Sequence, residues 1–232
     1  MAVIGQAVAL LKQTVRPVAL KLLAMPTLHD LAHKAHHFPV FHEWRRRYPA
    51  PQVDNRESLY QRLLEKEHLD SGIDYLEFGV YRGYTIRWWA EHNRDSQSTF
   101  VGFDSFEGLP EDWNKESPRG TYATGGKVPD IGDPRCSFVK GMFQDTVHEF
   151  FRSHLFDRTL VVHLDADLYS STLCVLMAVG PHLKNGDVLI FDEFYDYMNE
   201  FRALEDYRTA QPFSMEAIGR VGPHDVVALR VL

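Results

Sequence analysis

The stretch IDYLEFGVYRGYT, residues 73–85, decides the architecture. Residues 73–80 are a short apolar run with glycine at either end, the pattern of a strand buried on both faces. The run leads through a turn carrying Glu77, Gly79 and Gly83 into a helical pattern over 84–93. Four further runs of the same kind follow: STFVGFD (98–104), CSFVKG (136–141), TLVVHLD (159–165) and GDVLIFD (186–192). Helical patterns lie at 142–155, 171–184 and 197–210. Such alternation predicts parallel strands joined by right-handed crossovers. Two last β-like runs, 213–219 and 225–232, flank a short turn and predict an antiparallel hairpin on the sheet. The fold class is therefore α/β: a doubly wound, Rossmann-like, seven-stranded and mostly parallel sheet whose last strand is antiparallel.

Ligands of open parallel sheets bind beyond the carboxyl ends of the strands, so the residues at those tips are the candidates for chemistry. A glycine turn such as Gly79 to Gly83 lets backbone approach a ligand and opens a helix whose N-terminus favours a carboxylate. Asp104 ends the second strand, where an acid accepts hydrogen bonds from ribose hydroxyls. Together these features predict a nucleoside-containing cofactor. The fourth strand ends in LDADLYSST and the fifth in FDEF, which brings Asp165, Asp167, Asp192 and Glu193 to one rim. Like charges so placed repel one another, and a divalent cation would relieve them. Helix N-capping by Asp167 and pairing with an arginine are the alternatives, although capping does not need so many acids. His163 lies deeper on the fourth strand and reads as a residue of the core behind the rim.

The set EFGVYRG, VGFDSFEGLPEDW, GMFQDT, LDADLYSST and FDEF, spread in order over residues 73–210, resembles the macrocin O-methyltransferase-like family of class I methyltransferases. That resemblance implies S-adenosylmethionine as cofactor, Mg²⁺ or another divalent cation, sheet order 3-2-1-4-5-7-6, and transfer of methyl to a hydroxyl of a natural-product sugar or diol. The cofactor residues it implies are Glu77, Gly79, Gly83, Thr85, Asp104, Ser105, Gly141, Phe143 and Asp165. Metal ligands would be Asp165, Asp192 and Glu193, with Asp165 or Asp167 taking the hydroxyl proton. Two positions depart from the family pattern. Glu193 stands where the second acid of an Asp-Asp pair is usual, and Ala166 replaces the glycine of Asp-Gly-Asp. A nicotinamide-dependent oxidoreductase would use the glycine turn and Asp104 equally well but leaves the acids unexplained, and a non-catalytic cofactor-binding domain is the third reading.

Bulk properties agree with one folded domain that binds small molecules. The 232 residues are 44% hydrophobic and 25% charged, and the net charge of −7 argues against a nucleic-acid binder. Residues 1–50 carry seven Lys or Arg against two acids, a sum of +5 that leaves −12 for the rest. The expected organisation is an N-terminal helical or lid extension over 1–58 and the cofactor-binding domain over 59–232. The opening segment, apolar with spaced cations, is expected to pack as a helix on the domain or on a second copy in a homo-oligomer; weak membrane-surface association is the alternative. No stretch is long enough to span a bilayer, and two cysteines are too few for a disulfide framework, so a soluble cytoplasmic enzyme is expected. Residues 26–58, with Pro26, Pro39, Pro49 and Pro51, predict short helical pieces, and 105–135, with four prolines and five glycines, a long loop over the sheet. His29, His33 and His37 would share a helix face, and Trp113 is the tryptophan placed to stack on substrate.

Overall fold

A computed structural model describes residues 26–232. The expected opening helix falls in residues 1–25, outside the described residues. The chain divides into two compact units, Met1–Arg45 and Arg46–Leu232. In the first, Pro26–Arg47 (α1) is one helix with Pro39 inside it, where short pieces were expected. A proline removes one backbone hydrogen bond, and a helix of 22 residues retains the others. His29, His33 and His37 do lie on this helix, and the rings of His33 and His37 stack at 6.1 Å.

The second unit is built on a sheet of Gln52–Val53 (β1), Ile73–Phe78 (β2), Thr99–Asp104 (β3), Cys136–Lys140 (β4), Thr159–Leu164 (β5), Val188–Phe191 (β6), Met215–Val221 (β7) and Val226–Val231 (β8). Their spatial order is β1-β7-β8-β6-β5-β2-β3-β4. Leaving out the two-residue β1, this is the expected 3-2-1-4-5-7-6. Only β8 runs against its neighbours, pairing antiparallel with both β6 and β7. Strands β2, β5 and β6 occupy the middle, and apart from Thr159 every residue in them is buried. Their mostly apolar composition is what a strand covered on both faces requires, and the polar Asp74, Glu77 and His163 within them are buried as well. The crossover helices are Tyr84–His92 (α3), Phe143–Ser153 (α4) and Tyr169–Val179 (α5), with Glu200–Ala210 (α6) leading to the hairpin.

Arg56–Lys66 (α2) precedes the sheet. Asn55 caps it, its side chain accepting from the Ser58 amide at 2.8 Å. Leu59, Tyr60 and Leu63 of this helix are fully buried in the core that also holds Tyr75, Trp89 and Val161. Helix α2 and β1 thus belong to the same compact unit as the sheet. Strand β7 extends to Val221, two residues past the expected run, because Arg220 and Val221 pair with Gln52 and Val53. Among the described residues no helix is long and apolar enough to cross a membrane.

Candidate active site

A cavity of about 320 Å³ opens at the carboxyl ends of the parallel strands. Hydrogen bonds that continue the ladder put specific residues at its edge: Gly79 N donates to Phe103 O, Asp165 N to Phe78 O and Asp192 N to Leu164 O. Each is the first residue beyond its strand. Gly79 has φ +98°, and a Cβ there would meet the Asp165 carbonyl oxygen at 1.8 Å, so only glycine lets β2 turn this close to β5.

One wall of the cavity is backbone held in place by satisfied hydrogen bonds. The Asp104 carboxylate accepts from Val80 N and Tyr81 N through Oδ2, at 2.9 and 2.8 Å, and from Phe106 N through Oδ1 at 2.7 Å. Three of its roughly four acceptor positions are thus taken by the turn after β2 and the loop after β3, leaving about one for a ligand hydroxyl where two were expected. Ser105 and the Gly141–Gln144 turn at the start of α4 complete this wall. Residues 105–135 contain no helix or strand, as expected, yet the loop is folded back on itself. Leu109 N donates to Thr121 O and Gly120 N to Leu109 O, both at 2.9 Å. The result sets Leu109, Pro110 and Tyr122 on the cavity wall. Trp113 is instead tied to Asp196 by its indole N–H at 2.9 Å and does not line the cavity; Tyr81 and Tyr122, with rings 5.7 Å apart, do so together with Phe143.

The opposite wall is acidic. Asp165, Asp167, Asp192 and Glu193 all line it. Burial raises the Asp165 carboxyl well above the ordinary range, and the charges of Asp192, Asp167 and Glu200 add to that against the opposing Arg56. Burial and the same kind of neighbours push Asp167 and Glu193 up to about 7. Asp167 adopts φ +58° and does not cap α5, whose first amide, Tyr169 N, is met by the Asn199 side chain at 3.0 Å. Glu200, fully buried, accepts from Glu193 N at 3.0 Å and from Ala166 N at 3.4 Å, and so braces the two acidic turns against each other.

Behind the rim a buried polar chain crosses three strands. Tyr75 donates its hydroxyl to Glu77 Oε2 at 2.7 Å and meets His163 Nδ1 at 2.9 Å. His163 Nε2 lies 3.5 Å from Asp192 Oδ1, and neither of those two atoms has a hydrogen-bond partner. Glu77, only 1% exposed, belongs to this chain and not to the cavity wall. Its carboxyl is raised, burial being the main cause. Gly83 and Thr85 are also off the wall, Gly83 being packed against Pro129 and Ile131 of the long loop. The cavity does bring together Gly79, Asp104, Ser105, Gly141, Phe143 and Asp165 of the expected cofactor set.

The expected Mg²⁺ centre does not fit these residues. Arg56, from α2, points its guanidinium at the acids, with Nη2 2.5 Å from Asp192 Oδ2 and 3.7 Å from Glu193 Oε1. Two of the three expected ligands therefore face a resident cation. Among the described residues no three His, Cys, Asp or Glu side chains form a group that could hold a metal ion. Arg56, Asn199 and Glu200 carried no signal in the sequence beyond an Asn cap before α2, because nothing in their spacing ties them to the strand tips.

The sequence is matched over residues 64–222 by a family model described as macrocin-O-methyltransferase. The chain belongs to that family. Its members are S-adenosylmethionine-dependent O-methyltransferases, and so is this protein. Among solved structures it is similar to CalS11, a calicheamicin methyltransferase, at 22% identity, covering 75% of this chain and 76% of that one with a TM-score of 0.56. The O-methyltransferase NovP is similar at 21% identity over 87% and 96% of the two chains, TM-score 0.55. An O-methyltransferase from Bacillus cereus in complex with SAH is similar at 17% identity over 87% and 90%, TM-score 0.50. No curated protein sequence matches.

Proposed function

We propose that this O-methyltransferase acts on a hydroxyl of a small natural-product sugar or diol, in the cytoplasm and as a homo-oligomer. The observation that carries the reading is the two-sided cavity: Asp104 and the Gly141–Gln144 turn face an acidic wall where Arg56 pairs with Asp192 and Glu193 while, among the described residues, no cation pairs with Asp165 or Asp167. Such a site suits a ligand with a polar nucleoside end and a cationic centre. Bound S-adenosylmethionine supplies a methyl group activated by its sulfonium. Asp104 has one acceptor position left for a ribose hydroxyl, and Phe143 and Met142 offer apolar surface beside it. Asp165 is placed to take the proton of the acceptor hydroxyl, and S-adenosylmethionine held against Asp104 and the Gly141–Gln144 turn would supply the methyl group and leave as the thioether. A positive centre in the cavity favours the ionised form of Asp165 that this needs. CalS11 has also been described as a TDP-rhamnose 3'-O-methyltransferase, which supports a glycosyl acceptor here.

Calorimetry with S-adenosylhomocysteine and with NAD⁺ tests the cofactor. Binding of the first and not the second is expected; the reverse would turn the reading to an oxidoreductase. Incubation with S-adenosylmethionine and a panel of nucleotide sugars and catechols, read by mass spectrometry, tests the acceptor class.

A further inference from the structure

Arginine at the first position of a helix is electrostatically misplaced, since that end already carries the positive pole of the backbone dipoles. Arg56 occupies this position in α2, and the helix is pinned by the buried Leu59, Tyr60 and Leu63, so the guanidinium is delivered to a set place. What compensates it is the acid rim. Burial opposes its charge, yet Asp192, Asp165 and Glu193 outweigh that and raise its pKa. Among the described residues it is the only Lys or Arg paired with these acids. Its side chain remains 44% exposed and lines the cavity, so several of its five N–H donors stay available to a ligand. Asp192, 2% exposed, keeps Oδ1 without a hydrogen-bond partner, and Oδ2 is the atom that Arg56 holds.

We propose that Arg56 stands in for the divalent cation at this rim, neutralising Asp192 and Glu193 and presenting its free N–H groups to the acceptor oxygen, so that the chain holds its acids together without a metal. Two observations converge on this. The guanidinium is already on Asp192 Oδ2 and within 3.7 Å of Glu193 Oε1, between two of the acids an ion would need, and a metal ion brought there would be repelled by it. Glu193 in place of a shorter acid also fits: its carboxylate, 3.7 Å from Nη2, is placed to face a broad planar guanidinium, whereas a small hard ion demands ligands at about 2 Å in near-octahedral geometry. The inference deepens the methyltransferase reading and rests on it for the role of the acceptor oxygen.

Mn²⁺ titration followed by electron paramagnetic resonance tests it, using the full chain, the wild type against Arg56→Gln and Arg56→Lys. Wild type and Arg56→Lys should leave Mn²⁺ in solution, while Arg56→Gln, which frees the carboxylates, should bind it at least about tenfold more tightly. Equal affinity in wild type and Arg56→Gln, whether strong or absent, overturns the proposal. So does Mn²⁺ binding by Arg56→Lys as tight as by Arg56→Gln, since the positive charge would then not be what excludes the ion. S-adenosylhomocysteine calorimetry on each protein reports folding and cofactor binding independently. Failure of that binding in the wild type would count against the cofactor reading, whereas the Mn²⁺ result judges Arg56 alone.

Discussion

The two walls of the cavity differ in how their polar groups are used. On the side of Asp104 the carboxylate is occupied by three backbone amides and the turns are closed by their own hydrogen bonds. Across from it, Asp165, Asp167 and Glu193 have raised pKa values, and Asp192 Oδ1 and His163 Nε2 lack partners. One wall is a finished scaffold, and the other keeps polar capacity in reserve. That difference is what a transferase needs: a rigid seat for the cofactor, and beside it a group that gains stability only when charge arrives or a proton is released.

The largest effect is expected at the unfinished wall. Asp165→Asn removes the proton acceptor while keeping its shape, so turnover should fall by about 10²- to 10⁴-fold with S-adenosylhomocysteine affinity changed far less. Because a buried, repelled acid becomes a neutral amide, the melting temperature of the free protein should rise. Wild-type turnover in this variant would remove Asp165 from the chemistry. A smaller loss is expected at the finished wall. Asp104→Ala leaves three amides without their acceptor, at about 1–3 kcal/mol for a buried orphan, and should lower both thermal stability and cofactor affinity. A loss of affinity with stability unchanged would break the contrast, since it would make Asp104 a ligand group and not a tether.

The smallest effect belongs to the long loop, where Arg135 joins Asp133 to the carbonyls of Ala90, Asn93 and Asp95. Hydrogen bonding from Arg135 holds the Asp133 carboxyl below its ordinary range. A lowered folded-state pKa contributes stability that is present above the unfolded value near 4 and is lost only as pH falls through the lower, folded one. Asp133→Asn should therefore cost about 1 kcal/mol or less at pH 7, this pair being partly exposed, and should flatten the acid side of the stability profile. Chemical denaturation at pH 7 and at pH 3 measures both; an equal loss at the two pH values would show that charge is not involved.

Much of the fold was legible because parallel strands buried on both faces are mostly apolar and alternate with longer helical patterns. Those are local patterns, and they placed β2, β3, β5 and β6 to within a residue or two. The same patterns put Gly79, Asp104, Asp165, Asp167, Asp192 and Glu193 at strand tips, since a tip is where an apolar run stops. Less was legible before residue 59, where a proline sits within a helix and β1 exists only because β7 is there to pair with it.

Sequence alone determined which acids gather at the rim, because strand order and parity follow from periodicity. Only the tertiary structure decided what neutralises them. Arg56 arrives on a helix packed under β7, Glu200 from the far side of the acidic turns, and Glu77 turns away from the cavity to meet Tyr75. Electrostatic compensation acts through distances of a few ångströms across segments far apart in the chain, and no spacing along the sequence records it.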